Sequence, residues 1–98
     1  MVTAIRKLYL GIALLMISIT AKDYPISVGQ VWQHYKGKKY EVIAIGHHSE
    51  TEEKVVVYKG LYSDPVFGEN PVCVRPIGMF FETVEYNGKT TPRFTQLP

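Results

Sequence analysis

From residue 26 onward, apolar positions come in short bursts cut by Pro, Gly and Asn. β-branched and aromatic residues fill the bursts, the pattern of several short strands. SVGQVWQHY (27–35) reads as a first strand, with Val31 and Tyr35 alternating against Trp32 and His34. YKGKKY (35–40) turns at Gly37, and KYEVIAI (39–45) is a second strand. Alternation puts Tyr40, Val42 and Ala44 on one face of it and Glu41, Ile43 and Ile45 on the other. HHSETEE (47–53) is a loop. KVVVYKGLY (54–62) is a nearly unbroken apolar run, as expected of a central strand covered on both faces. SDPVFGENP (63–71) is a loop rich in turn formers. VCVRP (72–76) is a short strand, and IGMFFETVEY (77–86) opens with a turn, helical or not, and passes into another. Asn87-Gly88 tolerates the positive φ of a type I′ turn, so TVEYNGKTTPRF (83–94) reads as a hairpin. The sum is an all-β fold of five to six short antiparallel strands. That many in so few residues imply a strongly bent sheet or small barrel, because closure limits exposed edges.

The first 25 residues break the pattern. Arg6 and Lys7 precede an uncharged apolar run, 8–19, which ends at Thr20, Ala21 and a polar exit. Residues 1–25 therefore form a unit apart from a domain at 26–98. A basic start, an apolar stretch and small residues describe a signal peptide. A cut after Ala21 would leave bulky Ile19 three positions back. The run is shorter than the ~20 residues that span a bilayer, which favours a signal over an anchor. A second reading is a helix, apolar all round, that an oligomer would have to bury. A third is a tail added by translation from an upstream start. The product is periplasmic or secreted if 1–21 is a signal, and otherwise cytoplasmic. Any membrane contact is expected through this segment alone.

Length and charge narrow the function. The chain has 98 residues, one domain at most. Taking away the first 25 leaves 73 for a small core, which five of the seven Tyr, all four Phe and the one Trp help to fill. The net charge of +2 comes from the leading segment: Arg6, Lys7 and Lys22 lie there with Asp23, leaving eight basic and eight acidic residues beyond it. A general nucleic-acid binder needs a basic excess, so none is expected here. The YKGKKY run reads as a solvated turn. Cys73 is the single cysteine, which excludes an intrachain disulfide and a thiolate zinc site. Framed by Val72 and Val74, it reads as a small core or near-surface residue.

HYKGKKYEVIAIGHHSETEEKVVVYKGLY, followed by VRPIGMFFETVEYNGKTTPRF, resembles a small bacterial family, the domain of unknown function 1653. The shared pattern runs His-Tyr-Lys-Gly, Tyr-x-Val, His-Ser-Glu-Thr, Val-x-Tyr-x-x-Leu-Tyr, Arg-Pro and Met-Phe, then a Gly-Lys hairpin. It covers about Val28 to Phe94. The resemblance implies an SH3-like barrel and no established activity. Three features depart from the family: the apolar leading segment, a longer 63–73 loop, and Cys73 where the family often carries Trp.

The candidate chemistry is sparse. In GHHSETEEK (46–54), successive side chains of a strand point to opposite faces, so His47 and His48 do not share an ion. His48 and Glu50 can share a face, and His34 would have to complete a two-His, one-carboxylate set. That set defines one alternative function, a metal-assisted hydrolase. Against it, Ser49, Glu50 and Thr51 suit a hydrogen-bonded turn. Ser49 lacks a triad context, Cys73 has no helix N-terminus to activate it, and no glycine-rich phosphate loop occurs. What remains is polar and aromatic: Trp32, His34, Tyr35, His48, Tyr58, Tyr62, Arg75 and Phe80 are types that line recognition grooves. Arg75 meets Glu50, Glu82 or a ligand.

The residues favour a non-catalytic binding module over an enzyme, with no cofactor and no metal. It would recognise a peptide, a protein or a small acidic ligand through His34, Tyr35, His48, Glu50, Tyr58 and Arg75. The third alternative is a structural protein, a homo-oligomer assembled through the leading segment.

Overall fold

The computed structural model of the chain describes residues 24–98. The apolar leading segment, with its expected helix, lies outside the described residues.

Among the described residues, nine strands and one short helix follow in order. They are β1 (Val31–His34), β2 (Lys39–His47), β3 (Lys54–Gly60), β4 (Ser63–Asp64), β5 (Gly68–Glu69), β6 (Val72–Pro76), α1 (Ile77–Phe80), β7 (Thr83–Tyr86), β8 (Lys89–Pro92) and β9 (Phe94–Gln96). Five of them form the main antiparallel sheet, in the order β6-β3-β2-β1-β9. β4–β5 and β7–β8 are separate two-stranded ribbons. The fold is mostly β and antiparallel, as the alternation predicts. The barrel is not closed, because β6 and β9 end the main sheet without pairing to each other. The count of five to six strands also falls short. The 63–71 loop holds the β4–β5 ribbon, whose turn is fastened by Asp64: one carboxylate oxygen accepts from the backbone N–H of Val66 and Phe67 at 2.7 and 2.9 Å. Those two bonds hold the Asp64 carboxyl below its ordinary range.

β3 lies between β6 and β2, the central place its apolar run predicts. Val56 is fully buried and Tyr58 nearly so. In β2 the alternation fails at one point. The register runs Val42↔Tyr58 and then Ala44↔Val57, so Ile43 is an extra, bulged residue. Beyond the bulge the faces exchange: Ile45, not Ala44, packs on the core. The two-residue turn at Asn87 and Gly88 has φ of 53° and 76°, both positive, and pairs Tyr86 with Lys89. That is the hairpin expected of Asn-Gly.

The core is aromatic. Trp32, Val42, Val56, Tyr58, Ile77, Phe80 and Phe94 are buried together. α1 is a single turn that buries Ile77 and Phe80 in the core on one face of the sheet. Phe80 stacks on Phe94 at 4.1 Å between centroids and meets Trp32 edge-on at 5.4 Å. Beside this core, the same sheet face continues as a half-buried rim of polar side chains.

Candidate functional site

Phe94 is the hub of that rim. His34 meets its ring edge-on at 5.1 Å, Tyr58 at 5.6 Å and Tyr40 at 5.9 Å. The Arg75 guanidinium carbon sits 5.7 Å from its centroid. Strand register explains the gathering. Arg75 is opposite Val56 and Cys73 is opposite Tyr58, so Arg75 and Tyr58 are diagonal neighbours on one face. Arg75 Nε donates to the Tyr58 hydroxyl at 3.0 Å.

Arg75 has no acidic partner among the described residues. The ion pairs there are Lys59–Glu41 at 3.8 Å and Arg93–Glu82 at 3.2 Å. Glu82, one expected partner of Arg75, belongs to Arg93. Tyr58 is 3% exposed. Burial pushes its phenol pKa up, against the lowering effect of the Arg75 bond. Its oxygen accepts from Arg75, and its own O–H finds no acceptor among the described residues. A buried hydroxyl of that kind is a group with a donor to spare.

His34 is half-buried. Its Nδ1 accepts the backbone N–H of Lys36 at 3.2 Å, so the neutral ring carries its proton on Nε2 and presents a donor. Its pKa is lowered from 6.5, first by burial and then by the charges of Arg75, Arg93 and Lys36. A positive field therefore stands at this rim. The phenols of Tyr40 and Tyr62 extend the rim, their oxygens 3.0 Å apart. Burial, and then this bond, raise the Tyr40 pKa strongly. Gly60 makes room for the pair: a Cβ there would lie 2.5 Å from Cε1 of Tyr62. On the other side, His34 and Tyr35 enter a cleft of about 460 Å³, with Tyr86 and Lys89 of the β7–β8 ribbon opposite. Tyr35 meets Tyr86 edge-on at 5.0 Å.

The structure thus brings together His34, Tyr58 and Arg75, with Tyr35 adjoining. It does not bring in His48 or Glu50. Both lie in the exposed loop between β2 and β3, at the end of β2 remote from His34 in the chain. His48 is a turn residue: its Nδ1 accepts the N–H of Glu50 at 3.1 Å and of Thr51 at 3.3 Å. Thr51 in turn accepts from the N–H of Glu53. No three His, Cys, Asp or Glu side chains among the described residues meet as a metal set. The His34, His48, Glu50 trio is corrected on that ground, and the metal-assisted hydrolase loses its ligands. Phe94 and Arg93 are the residues that the strand pattern did not single out. Both lie where the 83–94 hairpin was expected to run straight on, and only the pairing of β9 with β1 (His34↔Phe94) places them.

A family model described as "Protein of unknown function (DUF1653)" matches residues 30–96. Among solved structures, the chain is similar to the crystal structure of a protein of that family from Bordetella bronchiseptica. The identity is 33%, the match covers 74% of this chain and 88% of that one, and the TM-score is 0.64. No curated protein matches. By the span of the family match and the likeness in both sequence and fold, the chain belongs to the DUF1653 family of proteins of unknown function.

Proposed function

We propose that this domain is a non-catalytic binding module whose ligand carries a carboxylate, anchored by Arg75. The observation that supports it is the guanidinium itself. It is fixed by Tyr58 and Phe94 and has no acidic partner among the described residues. Its Nε is engaged, and the two terminal nitrogens remain for a planar acid. The Tyr58 hydroxyl and His34 Nε2–H are further donors, and Tyr35 supplies an aromatic wall towards the cleft. We read the bent five-stranded sheet with α1 across its concave face as an SH3-like barrel left open, the open part being where the ligand enters.

Succinate, titrated at low ionic strength and followed by NMR, tests this. Saturable shifts are expected at Arg75 Nε–H and the His34 ring. Arg75→Ala weakens them about 10- to 100-fold, the worth of hydrogen bonds to a charged group. Equal binding by Arg75→Ala overturns the reading. His34 gives a second readout. Its pKa is depressed in part by Arg75, so both Arg75→Ala and bound succinate move it upward. By linkage, succinate then binds more tightly as the pH falls from 7.5 towards the His34 pKa.

A further inference from the structure

β6 is an edge strand, and its backbone shows which groups face outward. The N–H of Gly60 donates to the carbonyl of Pro71 at 2.7 Å. Since the register pairs Tyr58 with Cys73 and Val56 with Arg75, Pro71, Cys73 and Arg75 turn their backbone groups towards β3. Val72 and Val74 turn theirs away from it. Their N–H and C=O groups have no partner among the described residues. Val72 and Val74 are 59% and 62% exposed, and the alternation of the strand puts their side chains on the face away from the core. Arg75 points to the other face of the same strand. An unpaired ladder, two exposed valines and a cation without an acid thus lie within four consecutive residues. Pro76, which has no N–H, ends the ladder.

We infer that the β6 edge takes an extended acidic peptide as a sixth, antiparallel strand of the main sheet, with an Asp or Glu side chain opposite Arg75. This rests on the carboxylate anchor proposed above and names its bearer. The peptide pattern follows from the pleat. The residue opposite Arg75 is acidic and lies on the core side of the sheet. The next, opposite Val74, is apolar and lies on the opposite, exposed face. The third meets half-buried Cys73 and is small, and the fourth, opposite Val72, is apolar again. Main-chain bonds at Val72 and Val74 supply affinity, and the ion pair sets register. A second copy of β6 fits less well. Antiparallel about Cys73, it sets Val72 against Val74 but puts Pro71, not an acid, opposite Arg75.

The probe is the capped hexapeptide Thr-Glu-Val-Ala-Val-Thr, titrated into the full chain. Binding is expected with slowed amide exchange at Val72 and Val74. Replacing the peptide Glu by Gln weakens it at least tenfold. Val74→Pro removes an outward N–H, leaves the bonds to β3 in place, and also weakens the peptide at least tenfold while succinate binding stays unchanged. If Val74→Pro disturbs the fold, the peptide N-methylated at the valine opposite Val74 makes the same test on the native domain. Unchanged affinity of that methylated peptide overturns the strand-addition model. So does a chain that dimerises and crosslinks through Cys73 on mild oxidation in place of binding peptide. The two readings fail separately. Succinate binding without protection at Val72 and Val74 sinks only the peptide strand. Protection of the edge by Glu and Gln peptides alike, without succinate binding, sinks the Arg75 anchor.

Discussion

Phe80→Ala is expected to cost about 3–5 kcal/mol, the range for truncating a large buried aromatic. Phe80 is 1% exposed. It touches Trp32, Tyr58, Phe81 and Phe94, each within 5.6 Å between ring centroids. A domain of this size has roughly 4–11 kcal/mol in all, at about 0.05–0.15 kcal/mol per residue. One substitution in a single-turn helix therefore removes a large part of the stability. Each kcal/mol is worth about 4–8 °C in a 60–100-residue domain, so a thermal melt should shift down by tens of degrees. Met79→Ala, on the exposed side of the same turn, should stay within about 0.5 kcal/mol. Similar losses for the two would mean that α1 matters as a connector and that its packing does not.

The fold was legible where local chemistry decides. Asn87-Gly88 fixes its hairpin because both positive φ values are cheap there. The apolar run of β3 marks a central strand because only covered strands tolerate it. What local pattern does not encode is a bulge or a break. Ile43 satisfies period-two alternation as written, and the exchange of faces after it comes from pairing with β3. Likewise, nothing between Pro92 and Phe94 announces that β8 ends and β9 returns to β1. The site divides in the same way. Arg75 and Tyr58 were legible as residue types, and their meeting is a matter of register between β3 and β6. His48 and Glu50 lie apart from Arg75 in the loop after β2, where His48 spends its Nδ1 on the turn, as the short polar side chains there suggest. His34 does the same towards Lys36, yet its neighbours in space are cations and Phe94.

Whether Arg75 holds the fold or waits for a ligand is decided by a double-mutant cycle with Tyr58. Arg75→Ala leaves the Tyr58 hydroxyl buried and without any partner, at about 1–3 kcal/mol. Tyr58→Phe leaves a half-buried guanidinium that water can still reach, so it should cost less than about 1 kcal/mol. The double variant should be no less stable than Arg75→Ala alone, because the orphaned hydroxyl is gone. Urea unfolding of the four proteins measures this, and a coupling of about 1.5–3 kcal/mol fits a hydrogen bond to a charged group. The binding half of the cycle separates the roles. Tyr58→Phe keeps the cation but frees its side chain to rotate, so succinate binding should weaken about 2- to 10-fold through lost preorganisation. A guanidinium that only held the sheet together would show the stability coupling and bind no succinate in any of the four. One acting as a loose surface charge would show no coupling and lose nothing when Tyr58 becomes Phe. The proposed anchor, an arginine clamped by Tyr58 and without an acidic partner among the described residues, predicts both effects together, since the bond that steadies Arg75 leaves its two terminal nitrogens for the proposed carboxylate.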